Sequence, residues 1–460
     1  MNNLFIKKGG MRMKKYDVIV IGGSAAGLVA GMTGKSTHPE KEFLLIRKEK
    51  DTLVPCGIPY ILGTLESSEK DIIPIGGVIN AGIDFKQDEV TEVNKEAKTI
   101  KTASGEEFEY EKLVFATGST PYEPKWLKGY NLENVFNIPK DKIYLDEMKN
   151  KFKEMKKIVT IGAGFIGVEV SDELNKAGKE VTLIEVLPTI LGKAFDSAIA
   201  KKAQVILSER GVNIKTGVAV KEIIGNGKVE AVILENGEII VTDAVVLAMG
   251  YRPNTEMAKK AGFELNGFGA MKVDTYLRTK DRDVFAAGDC AAKIDFMTRE
   301  SSPVMLASAA ASEARMVGMN LYNLSVVNSF LGTIAIFSTA IGNTAFASAG
   351  VTEDEARQNG FNVVVGEFEG VDKHPGSLPN THKQYVKLIA AKDSGILMGG
   401  EIVGGESTGE LINVIGLAIQ QGMTATALYT SQIGTHPLLT SAPTKYPLTK
   451  AAEAILKKSR

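Results

Sequence analysis

Two segments of this chain repeat one pattern, "YDVIVIGGSAAG" at 16–27 and "KKIVTIGAGFIG" at 156–167. Each reads as a buried strand, a glycine turn and the start of a helix. Each is followed by a second apolar run behind a Lys-Glu pair: "KEFLLIR" ends at Arg47 and "KEVTLIE" at Glu185. The two are βαβ units with dinucleotide-binding turns. In such a turn the first glycine makes the tight bend, the middle position lets the backbone approach a pyrophosphate, and the third lets the helix pack closely. The helix start then offers unpaired N–H groups and a positive dipole end to the phosphates. One such turn would be a weak signal, whereas two in matching contexts constrain the whole chain.

The second copy is complete, with Gly162, Gly164 and Gly167 around Phe165 and Ile166. Glu185, ending the next strand, is positioned for ribose hydroxyls. A carboxylate there repels a 2′-phosphate, and Val186 to Gly192 offers no basic residue, so NADH is expected over NADPH. The first copy has Gly22, Gly23, Ala26 and Gly27, but Ser24 at the middle position and Arg47 where the second has Glu185. Arg47 alone suggests a 2′-phosphate site. Two later segments point to FAD instead. "KLVFATGSTP" (112–121) is a buried strand closing on the small-residue turn Ala116, Thr117, Gly118. "DVFAAGDC" (283–290) is another, with Gly288 and an Asp289 able to accept hydrogen bonds from a ribityl chain.

At 460 residues, several domains are expected. The net charge of −1 gives no footprint for nucleic acid or an acidic membrane. The longest apolar stretch, 18–32, is broken by glycines and too short to span a bilayer. The first fifteen residues lack the apolar core of a signal peptide; Met11 or Met13 is expected as the start, with a disordered extension before it. A cytoplasmic protein is expected. Four histidines without close spacing suggest no metal site. From about residue 326 the pattern changes to helices on an antiparallel sheet, read as a docking or dimerisation domain. The expected fold is α/β: two Rossmann-like three-layer dinucleotide-binding domains plus an α+β C-terminal dimerisation domain. The expected boundaries are 14–135 with 265–325 for FAD, 136–264 for NAD(H), and 326–460 for dimerisation.

Two cysteines make neither a disulfide framework nor a CxxC site. Cys56 lies in "LVPCGIPYILG" (53–63), bracketed by proline and glycine, a stiff setting that suits a reactive thiol more than a packing one. Cys290 follows Asp289 in a buried strand and reads as structural.

Two glycine turns, the ATG segment, "AMGYRPNT" (248–255, with Gly250) and the GD segment, in this order, resemble the pyridine nucleotide-disulfide oxidoreductases. "PCGIPYILG" is similar to their single-cysteine branch of coenzyme A-disulfide reductases, NADH oxidases and peroxidases, and persulfide or polysulfide reductases. The resemblance implies FAD in the first unit, NAD(P)H in the second, a homodimer, and Cys56 beside the flavin. Dithiol relatives have a second cysteine where this chain has Ile61, so the oxidised form here is a mixed disulfide with a small thiol, or a sulfenic acid. Gly57 is expected to let the flavin approach, and a helix starting near Ile58 to lower the thiol pKa. Thr52 and Tyr60 match family positions, Thr52 keeping a hydroxyl near the sulfur. Phe165 matches an aromatic that shields the flavin, and Glu169 a carboxylate near the nicotinamide. Three positions depart from the pattern. Arg47 replaces the ribose-binding acid of the FAD unit, with Glu49 as a substitute or FAD held less tightly. His374 stands where coenzyme A-reducing relatives show tyrosine. His436 resembles the proton-donating histidine of dithiol reductases without its following glutamate.

The expected activity is NADH-dependent reduction of a small disulfide, persulfide or polysulfide through Cys56. The alternatives are an NADH oxidase or peroxidase cycling Cys56 through sulfenic acid, a flavin reductase serving a redox protein, and a non-enzymatic NADH-sensing flavoprotein.

Overall fold

The computed structural model describes residues 13–327 and 332–459; the extension expected before Met13 lies outside them. The first unit is built on a seven-stranded sheet. Its centre is the strand Lys14–Ile21, paired in parallel with Phe43–Arg47 on one side and Glu107–Phe115 on the other. Val18, Ile19, Val20 and Ile21 are all buried, as expected of a central parallel strand covered on both faces. Each such side chain contributes on the order of 1.5–3 kcal/mol. Glu107–Phe115 pairs through its first half with Thr99–Thr102 and through its second with Val284–Ala286. That last pairing returns the 283–290 segment to the first unit after the chain has built the second.

Helices Ala25–Thr37 and Ala307–Met319 cover one face, packing through Ala26, Ala30, Ala310, Ala314 and Val317. Small residues allow that close approach: a Cβ on Gly318 would stand 2.8 Å from the backbone nitrogen of Gly34.

The second unit has an all-parallel five-stranded sheet in the order Val135–Asn137, Ala244–Leu247, Lys157–Ile161, Glu180–Glu185, Asn213–Thr216. A three-stranded antiparallel sheet covers one face, and the helices Lys142–Phe152, Phe165–Lys176 and Ser197–Glu209 share a core with the other. Ser119–Pro121 pairs with Tyr251–Pro253, so two short strands carry the chain between the units.

The C-terminal part is a five-stranded antiparallel sheet, Ile336–Ile341, Thr344–Gly350, Leu397–Gly404, Lys383–Ala391, Val363–Val371 in spatial order. Helices Thr408–Gln420 and Pro447–Lys458 pack on it through Ile412, Ile415, Ile419, Leu448 and Ile455. No helix among the described residues is long and apolar enough to cross a membrane.

Candidate active site

Both glycine turns open onto one cavity of about 1190 Å³. This exceeds the roughly 300–1,000 Å³ of an ordinary small-molecule pocket, as a cleft taking an extended dinucleotide from each end requires. Of the residues singled out from the sequence, Ser24, Ala26, Cys56, Tyr60, Ala116, Gly118, Gly162, Gly164, Phe165, Ile166, Glu169, Glu185, Gly250, Gly288 and Asp289 line it.

The turns have the backbone that nucleotide binding needs. Gly22 and Gly162 have φ of 109° and 98°, and a Cβ on either would lie 2.1 or 2.5 Å from the carbonyl oxygen of Ala116 or Ala248. Gly27 and Gly167 repeat one contact: a Cβ on each would stand 1.9 Å from the carbonyl oxygen of Gly22 or Gly162. Of these, Gly162 lines the cavity, while Gly22, Gly27 and Gly167, with Gly23 and Thr117, lie behind its wall. Gly164 differs, because a Cβ there meets nothing within 4 Å. It caps the helix Phe165–Lys176 and leaves open the space a pyrophosphate needs, and Ser24 caps Ala25–Thr37 in the same extended conformation with no side-chain bond to its own helix.

Glu185 is turned onto its glycine turn. Its carboxylate accepts from the backbone N–H groups of Ala163 (2.7 Å) and Leu187 (2.9 Å), keeping acceptor capacity for ribose hydroxyls. Lys193, one residue past the run read as free of basic residues, is exposed on the same wall. Arg47 and Glu49 do not line the cavity. The methylenes of Arg47 pack under Gly23, and its guanidinium is buried over the Phe85 ring (5.0 Å), donating to the carbonyls of Glu49 and Lys50. Glu49 itself is exposed.

Cys56 lies on the cavity wall, reached by solvent yet enclosed by enough protein to push its thiol pKa up. Desolvation is the largest cause, Glu169, Asp289 and Asp71 add to it, and Lys140 opposes it. The lowering expected from a helix dipole is therefore overruled. Ile58–Leu62 is a single five-residue 3₁₀ turn, too short for much of a dipole, and acids surround the sulfur. Gly57 also has a different reason from the expected one. The space its Cβ would fill holds the carboxylate of Asp71, 1.8 Å away. Asp71 is buried, its Oδ2 has no hydrogen-bond partner among the described residues, and burial raises its pKa to about 6. The Thr52 hydroxyl donates to the Gly23 carbonyl (3.2 Å), tying the cysteine segment to the first glycine turn rather than serving the sulfur.

Glu169 faces Cys56 from the second unit. Its pKa is raised to about 7, mainly by burial, against a hydrogen bond from the Thr339 hydroxyl (2.8 Å). Burial and then Glu169 also push the Tyr60 phenol up. Phe165 packs on Phe337 with ring centroids 4.9 Å apart, so the strand Ile336–Ile341 closes one side of the cavity. Asp289 Oδ2 accepts from Ser119 Oγ (2.7 Å) and Lys140 Nζ (3.0 Å). Sequence patterns missed Lys140, Ser119, Phe337, Thr339 and Lys193. Lys140, Ser119 and Phe337 reach the cavity, and Thr339 its Glu169, only through tertiary packing, and Lys193 lies one residue beyond Val186 to Gly192.

Cys290 is wholly buried, in the 3₁₀ turn Gly288–Cys290 rather than in a strand, and its thiol donates to the carbonyls of Ala287 (3.3 Å) and Phe115 (3.4 Å). His374 and His436 do not line the cavity. They meet in a loop pair, where His374 N–H donates to the Pro437 carbonyl (3.1 Å) and His436 N–H to Thr440 Oγ1 (2.9 Å). No cluster of potential metal ligands exists among the described residues.

A two-turn cavity over a lone accessible thiol defines a class, the nicotinamide-dependent flavoprotein reductases. The chain belongs to the pyridine nucleotide-disulphide oxidoreductase family, which matches residues 16–314, followed by that family's dimerisation domain at 336–446. It is an enzyme of that family, whose members use FAD and NAD(P)H. An "NADH oxidase" of Methanocaldococcus jannaschii is 30% identical over 460 residues, covering 96% of this chain and 98% of the relative. An "NAD(P)H coenzyme A polysulfide/persulfide reductase" of Pyrococcus horikoshii is 30% identical over 404 residues, 86% of this chain and 89% of the relative. The solved NAD-dependent persulfide reductase from A. fulgidus superposes with a TM-score of 0.89 at 28% identity, covering 96% of this chain and 83% of that one.

Proposed function

We propose that the protein reduces a small disulfide, persulfide or polysulfide at the expense of NADH, with Cys56 as the redox sulfur. The observation that carries this reading is the contrast between the two cysteines. Cys56 is accessible where both glycine turns converge, while the other cysteine is buried and hydrogen-bonded. FAD would lie along 14–135 and 265–325, at Ser24, Ala116, Gly118 and Asp289, and NADH along 136–264, at Gly164 and Glu185. When bound, the flavin supplies two-electron transfer from a hydride donor to sulfur. Residues 326–460 would form a homodimer, and the proposal places the protein in the cytoplasm.

The chain's own part is sulfur chemistry. Cleavage of Cys56–S–S–R by two electrons leaves a Cys56 thiolate and RS⁻, which departs as RSH after taking a proton. Glu169, neutral below about pH 7, is suited to hold that proton within the cavity. His436 is a second candidate donor, reaching the site of a partner subunit; its exposed place in the C-terminal loops is compatible with that role. The thiolate then attacks the next R–S–S–R, reforming Cys56–S–S–R and expelling a second RS⁻ that also leaves as RSH.

An NADH oxidase or peroxidase is the second reading, favoured by the name of the M. jannaschii relative. Thiol release and NADH consumption measured with disulfide, peroxide and oxygen in turn separate the two. Stoichiometric thiol supports the first reading, and NADH use with oxygen or peroxide alone overturns it. Turnover confined to an added redox protein, or none with any acceptor, would favour an electron-transfer or NADH-sensing role.

A further inference from the structure

Cys56 sits among acids. Glu169 faces it from the helix Phe165–Lys176, Asp289 from the Gly288–Cys290 turn, and Asp71 from the end of the Ser68–Asp71 turn. Tyr60, also on the cavity wall, is kept neutral by burial. Yet the sulfur chemistry of such a site requires a thiolate. Some positive charge must offset those carboxylates, and among the charges acting most strongly on Cys56 the cation is Lys140.

Lys140 stands just before Asp141, the cap of the helix Lys142–Phe152, where the chain crosses between the two nucleotide units. It lines the same cavity as Cys56. Its Nζ is held by Ser119 Oγ (3.1 Å) and Asp289 Oδ2 (3.0 Å), with the Tyr251 ring 5.8 Å away. Three unrelated segments thus fix one ammonium over the cavity. We propose that Lys140 stabilises the Cys56 thiolate. The S–H proton passes to water, the electron pair stays on Sγ, and the ammonium held by Asp289 on the same cavity wall offsets that charge. Hydroxyl donors of a cofactor that engage Asp289 would loosen its hold on Lys140 and strengthen the field at sulfur.

The proposal rests on Cys56 as the reactive sulfur, but its test does not need turnover. The alkylation rate of Cys56 by iodoacetamide is measured against pH on the full chain, as purified and after flavin removal, with the modified peptide identified by mass spectrometry. Lys140→Met should raise the midpoint by about one pH unit and slow alkylation below it roughly tenfold, the scale for an opposite charge nearby. Lys140→Arg should stay near wild type. Asp289→Asn, which frees the ammonium and removes an anion, should lower the midpoint. A midpoint unmoved by Lys140→Met in both preparations overturns the proposal, as does an Asp289→Asn midpoint that rises. These midpoints shift as stated even if no disulfide is reduced, so failure of the functional reading is scored separately.

Discussion

The two glycine turns share one backbone and differ in what the next strand contributes. In the second, the Glu185 carboxylate reaches back to the turn and braces Ala163 N–H, and Gly164 faces open space. In the first, Arg47 passes under Gly23 by its methylenes, and its guanidinium lies over the Phe85 ring and donates to two carbonyls, with Nη1 buried and without a hydrogen-bond partner among the described residues. The same sequence position thus lines the cavity in one unit and packs behind its turn in the other. What a βαβ pattern predicts is a location, and the side chain's direction decides the role.

The comparison can be broken hardest at the backbone. Gly22→Ala forces a side chain at a φ of 109° and into the Ala116 carbonyl. It should cost at least about 3 kcal/mol and abolish flavin retention, read by melting temperature and flavin absorbance. Gly164→Ala, with nothing to collide with, should fold normally, lose close approach to the dinucleotide and raise KM for NADH about tenfold, roughly one 1.4 kcal/mol interaction.

Glu185→Gln keeps an acceptor for Ala163 but removes the charge. The ratio of kcat/KM for NADH over NADPH should fall about tenfold. Lys193→Ala, on the same wall, should move that ratio the other way. An unchanged ratio in both variants would remove the ribose role from this strand end.

The pH dependence sharpens the contrast between the units from the cavity side. Because burial raises the Glu169 carboxyl to about 7, it is neutral below that pH and becomes a carboxylate above it. The proton is then lost and the new charge pushes the Cys56 thiol higher, so thiol-forming turnover should decline as pH rises through about 7. Glu169→Gln should flatten that limb in a kcat profile; a persistent inflection would assign it to another group. The smallest effect belongs to Arg47→Leu, which should change FAD affinity by less than about threefold. A large loss, measured by equilibrium dialysis, would mean that the guanidinium turns round to the ribose.

The nucleotide units were legible because their constraints are local. Gly27 and Gly167 sit where a Cβ would strike backbone of the same strand–turn–helix, while Gly22 and Gly162 meet the Ala116 and Ala248 carbonyls of the neighbouring strand. The stiff frame singles out Cys56, which lies on the cavity wall, but not the reason for Gly57: Asp71 fills that space from a separate turn. The electrostatics were misjudged for the same cause. A helix starting near Ile58 is expected to lower the thiol pKa, but the segment is a five-residue turn, and burial with acids from distant segments raises it. Lys140, Phe337 and Thr339 carry no motif, and only tertiary packing brings the first two to the cavity wall and the third to Glu169.

The central claim is that electrons from NADH leave through Cys56, and Cys56→Ser tests it most directly. Serine is nearly isosteric and lies in neither glycine turn, so FAD and NADH should bind and flavin bleaching by NADH in stopped flow should persist. Thiol release from a disulfide or persulfide should fall by several orders of magnitude, because a hydroxyl forms no mixed disulfide. Oxidation of the reduced enzyme by oxygen should persist or rise. Full thiol release by Cys56→Ser would show that the lone accessible cysteine is only packing.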